Sequence, residues 1–364
     1  MLAPRMLAGT AVLAAVLAVG PAAQRGKAAL APRPTGLIAV IKNKPGQPFF
    51  KHTFDNAHVA GVALQIHWNE IELTEGTPDW SRLDAFVSEA AGAGKWVQIS
   101  VYAGFFTPAW ALQGVKTDRF AIQYGPEVGM VEPLPMPWDA VYLQRWLTFV
   151  KALSQRYANS NTVRIIDVDG PTSVSDENTL PSGPSDLRQW QADGYTPTRY
   201  LNAWKRVLAE YAADFSAQYL SIAGVGGLPI DEAGRINRPA HTTTLQAQTD
   251  SAIAILGDRL VLQYNNLDGT TNPDGQGGLA FITNYIGKTV TGYQLRTSAA
   301  GPGMGAPGAT AAIKLRDAID KGMRPNRAGR HVDFIQVYQA DILSADLQPV
   351  LAYGASLFET TPHP

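Results

Sequence analysis

From residue 36 onward, short runs rich in β-branched and aromatic residues alternate eight times with stretches whose apolar residues recur every three to four positions. The strand-like runs are Gly36–Ile41, Val62–His67, Lys95–Tyr102, Thr162–Val168, Tyr219–Gly224, Arg259–Tyr264, Thr289–Leu295 and His331–Tyr338. Between them lie helical patterns near Phe54–Val59, Trp80–Ala91, Asp139–Tyr157, after Thr196-Pro197, and over Thr243–Leu256, Gly278–Ile286, Ala309–Lys321 and Ser344–Tyr353. Thr77-Pro78 and Thr196-Pro197 both read as helix starts, Thr capping and Pro in the first turn. Eight such units in one chain match a closed (β/α)8 barrel of one domain, residues 36–358. A doubly wound open sheet is the alternative, and no Gly-x-Gly-x-x-Gly follows an early strand to support it. Loop lengths are asymmetric. Helix-to-strand links are short, such as Gly92-Ala93-Gly94, whereas 103–137 and 169–195 are long strand-to-helix links. In a barrel the long ones share one face, where active sites are built.

Apolar residues make up 45% and charged residues 17%, enough for a large core. Net charge is −1 without a basic cluster, which argues against a nucleic-acid partner. The start of the chain is different in kind. Arg5, an Ala/Leu/Val run over 7–19 and Gly20-Pro21-Ala22-Ala23 have the layout of a signal peptide, residues 1–23. Residues 24–35 then read as a tether. The expectation is a secreted or periplasmic protein with no membrane partner after cleavage. Cysteine is absent, so disulfides, thiol nucleophiles and thiolate metal sites are excluded. The six histidines form no His-x-His or His-Glu-x-x-His, and no Gly-x-Ser-x-Gly elbow occurs, so neither a metal nor another cofactor is expected.

The strand ends carry the chemistry. After the second strand come His67-Trp68-Asn69-Glu70-Ile71-Glu72, Glu75-Gly76 and Asp79-Trp80-Ser81-Arg82-Leu83-Asp84. After the third come Tyr102-Ala103-Gly104 and Thr107-Pro108-Ala109-Trp110. This order and spacing resemble barrel glycoside hydrolases of the β-galactosidase and cellulase type, over roughly residues 36–180. Aromatic rings suit that chemistry, because sugars offer apolar C–H faces while the polar tips of Trp and Tyr hydrogen-bond. Trp68, Tyr102, Phe105, Phe106, Trp110 and Trp138 are candidates at the loop face, with His67 as a substrate contact.

The resemblance implies two catalytic Glu residues, at the ends of strands four and seven. Strand four reads Asp167-Val168-Asp169-Gly170-Pro171 and lacks the Asn-Glu common there, so Glu177 is the leading proton donor and Asp169 the next. Strand seven reads Thr291-Gly292-Tyr293-Gln294-Leu295-Arg296, which sets Gln294 at the nucleophile's place. An amide cannot attack an anomeric carbon as a carboxylate does. Asn265, Gln336 and Asp341 complete the expected sugar-contacting set, and Asp268 or Asp341 could supply the second acid. The reading is an exported barrel hydrolysing a poly- or oligosaccharide, retaining or inverting. The alternative is a carbohydrate-binding barrel without the nucleophile. The Gly/Pro run 301–308 reads as a mobile lid.

Overall fold

The computed structural model describes residues 29–123, 128–174, 177, 179–224, 227–270 and 278–360. The expected signal peptide, residues 1–23, lies outside the described residues. The first strands and helices are β1 (Gly36–Lys42), α1 (Lys51–Phe54), β2 (Gly61–His67), α2 (Trp68–Ile71), α3 (Ser81–Gly92) and β3 (Trp96–Tyr102). Then come β4 (Thr117–Ala121), β5 (Val131–Pro135), α4 (Ala140–Tyr157), β6 (Val163–Asp167), α5 (Pro184–Ala192) and α6 (Pro197–Asp214). Next are β7 (Tyr219–Ala223), α7 (Arg238–Leu256), β8 (Leu260–Leu267), α8 (Gly278–Thr283) and β9 (Val290–Leu295). The chain ends with α9 (Ala311–Gly322), β10 (Phe334–Tyr338), α10 (Gln339–Ile342) and α11 (Gln348–Thr360).

Eight strands close into a parallel ring in the order β1-β2-β3-β6-β7-β8-β9-β10, with β10 returning to β1 through pairs such as Gly36↔Phe334. Outward-facing Leu37, Ala39, Val62, Leu64 and Ile66 pack under helix residues such as Leu83, Phe86, Trp146, Phe149, Leu208 and Ile319, all buried. This shell is the main apolar core and sets the barrel's stability.

Two loops hold elements that periodicity does not reveal. Within 103–137, β4 and β5 form an antiparallel hairpin, and within 169–195 lies α5. Helix α5 carries only Leu187 and Trp190 as large apolar residues. It is held by Trp190, whose ring stacks on Phe120 of β4 at 4.5 Å and which is fully buried. Helix α3 starts at Ser81 rather than at Thr77-Pro78, because the Asp79 side chain accepts from the Ser81 amide and turns the chain there. Thr196 does cap α6 by accepting from Arg199 N.

Residues 29–35 are not a free tether. Ala31 N donates to Ala217 O at 2.8 Å, and Arg164 and Trp96 donate to the carbonyls of Arg33 and Thr35. Arg33 meets the fully buried Asp333 through Nε at 2.5 Å and Nη2 at 3.1 Å. The segment closes the foot of the barrel, opposite the long loops. Among the described residues no helix is long and apolar enough to cross a membrane.

Candidate functional site

Side chains alternate in and out along each strand, so the barrel's interior is built in layers. The foot layer takes one residue from every strand, Ile38, Ala63, Trp96, Ile165, Tyr219, Val261, Val290 and Phe334, and all are buried. Gly292 is required there, since a Cβ would stand 2.2 Å from the Phe334 ring. Two residues further along, the interior turns polar. Gln336 Nε2 donates to Gln98 Oε1 at 2.8 Å and to Gln263 Oε1 at 3.2 Å. Gln98 Nε2 donates onward to Asp167 Oδ1 at 2.7 Å, and Gln263 Nε2 to Asn265 Oδ1 at 2.6 Å. Gln98, Gln263 and Gln336 are each about 1% exposed. Gln336, expected to touch sugar, is therefore part of the floor.

Above this floor the mouth begins. Gln294 lies at the end of β9 in register with Gln336 of β10. It accepts from Gln65 Nε2 at 3.2 Å and donates to the Tyr338 hydroxyl at 3.3 Å. Tyr338 is pushed up to about 12, first by burial and then by the negative charge of Glu177. Lys42, exposed at the end of β1, sets its ammonium 6.0 Å from the Tyr338 ring.

Glu177 reaches the mouth by an indirect route. In the β6–β7 ladder Asp167 pairs with Ser221, after which the chain leaves the sheet at Val168. It comes back with Glu177 bridged to Ala223, two residues beyond Ser221. Glu177 thus takes the place in the ladder that residue 169 would hold in a straight strand, on the same side as Asp167. It is half-buried. Asp169 itself is 1% exposed, and its carboxylate accepts from Ala103 N, Gly170 N and the Thr172 hydroxyl. Its backbone carbonyl also accepts from Trp146 Nε1. Gly170 adopts φ 128° with the Trp146 indole 2.5 Å from where a Cβ would stand, so only glycine fits. Asp169 shapes the excursion that delivers Glu177.

On the other side of the mouth His67 stacks on Phe106 with centroids 3.6 Å apart and planes 7° apart. Tyr102 lies 6.0 Å from the same ring. His67 Nδ1 is 3.5 Å from Glu70 Oε1, and Glu70 Oε2 accepts from Asn43 Nδ2 at 2.8 Å. Trp68 corrects the sequence expectation. The strand ends at His67, so Trp68 points outward and is fully buried against Trp110, Trp146 and Phe149. Its indole donates to Glu72 Oε2 at 2.9 Å, and Glu72 Oε1 accepts from Gly76 N. Burial raises the Glu72 pKa, yet its carboxyl serves this turn rather than the mouth. Trp110 is half-buried and donates to Glu72 O, joining the third loop to the second.

The two other acids at the strand ends hold loops. Asp268 pairs with Arg296 at 3.2 Å and accepts from Thr270 N and Oγ1. Asp341 accepts from Ala299 N through both oxygens at 2.9 Å, and burial raises its pKa to about 6. The run 301–308 is anchored on the barrel by Met304, which is fully buried and whose carbonyl accepts from Gly269 N. Trp138 packs on Trp190 and Tyr195 beside the hairpin. Among the described residues no group of three or more His, Asp or Glu could hold a metal.

Glu70, Asn43, Gln65, Lys42 and Tyr338 escaped the reading of the sequence. The alternation of Val62–His67 does carry a signal, since it puts Gln65 and His67 on one face.

The strands and helices define a closed (β/α)8 barrel with a polar mouth. No family model matches the chain, and no curated protein matches it. Among solved structures, a mutant of Xylanase10C from Cellvibrio japonicus in complex with xylopentaose has a TM-score of 0.52 at 10% identity. That match covers 91% of this chain and 68% of the xylanase. An exo-β-1,4-mannosidase from Opitutaceae bacterium strain TAV5 matches at TM-score 0.49 and 12% identity, over 90% of this chain. The chain spans about 60% of the mannosidase's length. Endo-glycoceramidase II from Rhodococcus sp. matches at TM-score 0.44 and 16% identity, covering 89% of this chain and 80% of that one. At 10% identity the likeness to the xylanase is one of fold alone.

Proposed function

We propose that this is an exported barrel that binds a poly- or oligosaccharide in its mouth and hydrolyses it, with Glu177 donating the proton to the leaving oxygen. The observation that carries the reading is the Glu177↔Ala223 bridge, because it supports a half-buried carboxyl at the rim of the fourth barrel strand, beside Tyr338. A proton donor of this kind must be partly shielded from water to remain protonated near neutral pH. His67, Tyr102, Trp110, Asn265 and Gln294 contribute ring faces and amides to the sugar, and amides hydrogen-bond hydroxyls without adding charge.

With an amide at Gln294 no covalent glycosyl–carboxylate intermediate forms at strand seven, so the reaction proceeds by direct attack of water with inversion. Release of reducing ends from a polysaccharide panel tests this. The wild type turns over at least one polymer, and Glu177→Gln loses about 10²–10⁴-fold in rate while still binding it. The same Gln294 favours a second reading, a barrel that binds sugar without cleaving it. Saturable binding by the wild type with no product from any polymer decides for that reading.

A further inference from the structure

Hydrolysis by inversion needs a group that takes a proton from the attacking water, and Asp167, Asp169, Asp268 and Asp341 are all engaged in holding the floor or the loops. The geometry points to His67 as that base, with Glu70, Asn43 and Arg82 as its positioning residues. The inference rests on the hydrolytic reading above and names its second catalytic residue.

A ring stack and a carboxylate orient the imidazole. Its position at the end of β2 continues the inward set Ala63 and Gln65. Its ring lies flat on Phe106 at 3.6 Å, which sets the plane. Glu70, from the first turn of α2, faces Nδ1 at 3.5 Å and also accepts from the His67 amide at 3.4 Å. The Nδ1 contact is long, as catalytic hydrogen bonds commonly are before substrate tightens them. Glu70 is itself held by Asn43 Nδ2, and Asn43 Oδ1 accepts from Arg82 Nε at 2.6 Å. The Arg82 guanidinium in turn lies 3.4 Å over the Phe49 ring. These contacts run from helix α3 to the rim, and Glu70 also caps the first turn of α2 by accepting from the His67 amide.

A carboxylate facing Nδ1 selects the tautomer with the proton there, which puts the lone pair on Nε2 and stabilises the imidazolium once it forms. Among the described residues, Glu70 of α2 and Tyr102 of β3 are titratable groups beside the ring. In the reaction the water oxygen bonds to the anomeric carbon and one of its protons passes to Nε2. The glycosidic C–O bond breaks, and the departing oxygen's electron pair takes the proton from Glu177. Bulk water then removes the proton from His67 and returns one to Glu177, so both groups are reset.

An aryl glycoside with a good leaving group separates the two roles, because it needs little help from Glu177. On that substrate Glu177→Gln stays within about tenfold of wild type, whereas His67→Ala loses about 10²–10⁴-fold. Sodium azide restores turnover to His67→Ala and yields a glycosyl azide of inverted configuration, since azide attacks without a proton to give up. Glu70→Gln shifts the ¹⁵N-detected tautomer of His67 and lowers kcat with KM unchanged, and Glu70→Asp recovers part of both. Should His67→Ala not fold, His67→Gln carries the same test. Turnover of His67→Ala within threefold of wild type, or azide product of retained configuration, overturns the assignment while leaving Glu177 standing. A wild type that hydrolyses no glycoside overturns the hydrolytic reading and this base together.

Discussion

Replacing Arg33 with Ala tests whether the segment before β1 is part of the fold. Asp333 is fully buried at the foot of the barrel, and its carboxylate accepts from Arg33 Nε at 2.5 Å, Arg33 Nη2 at 3.1 Å and Thr291 N at 2.8 Å. Arg33→Ala removes two of these three donors from a buried charge. Breaking a buried pair by deleting one partner typically costs about 3–5 kcal/mol. The Arg33 side chain is 34% exposed and water can enter where it stood, so about 2–3 kcal/mol is expected here. With an unfolding entropy of about 2.1 cal/mol/K per residue over roughly 330 residues, that corresponds to a fall in Tm of about 3–4 °C. Urea unfolding followed by tryptophan fluorescence measures the change directly. Adding Asp333→Asn should recover more than half of the loss, because the second substitution removes the stranded charge. A cost below about 0.5 kcal/mol for Arg33→Ala would refute the reasoning and return residues 29–35 to the status of a tether.

Other outcomes follow from the same packing. Gly292→Ala drives a methyl into the Phe334 ring, so the barrel should lose about 3 kcal/mol or fail to accumulate in soluble form, measured by expression and melting. Trp68→Ala should cost about 3–5 kcal/mol by urea unfolding and leave sugar affinity unchanged, because its indole lies behind the barrel wall. Asp341 has a folded pKa near 6, above its ordinary value, so the folded state holds the extra proton between about pH 4 and 6 and stability falls as pH rises through that window. Asp341→Asn should flatten that fall and add of the order of 1–3 kcal/mol at pH 7, read from urea midpoints across pH. Removing the Glu177 charge lowers the Tyr338 pKa from about 12 by a fraction of its shift, because burial is the larger cause; ¹³C-labelled tyrosine titration reports it.

The barrel was legible because period-two and period-three-to-four patterns alternate eight times, and each pattern is local. Loop asymmetry also pointed to the rim that carries the polar mouth. The hairpin β4–β5 and helix α5 were not legible. Trp190 is the only large apolar residue of α5 that is fully buried, and it is stabilised by Phe120, some 70 positions earlier in the chain. His67 and Tyr102 were found at the rim, where alternation predicts them. Trp68 lies one position past the inward His67 and so faces outward, because a strand inverts the facing of a side chain with every residue, whereas Gln336 faces inward but is bonded into the floor.

The sequence alone determined that eight strands would be covered by helices, that the chain has no thiol chemistry, and that an amide, Gln294, stands at the end of strand seven. Only the tertiary structure decided that Glu177 returns to the ladder at Ala223 and that Glu70 faces His67. It also decided that Arg33 seals the foot against Asp333, 300 residues away. Propensity and patterning act over a few neighbouring residues. A pocket in a closed ring is assembled from strand ends distant in sequence, and their alignment depends on the closure of the barrel and the path of its loops.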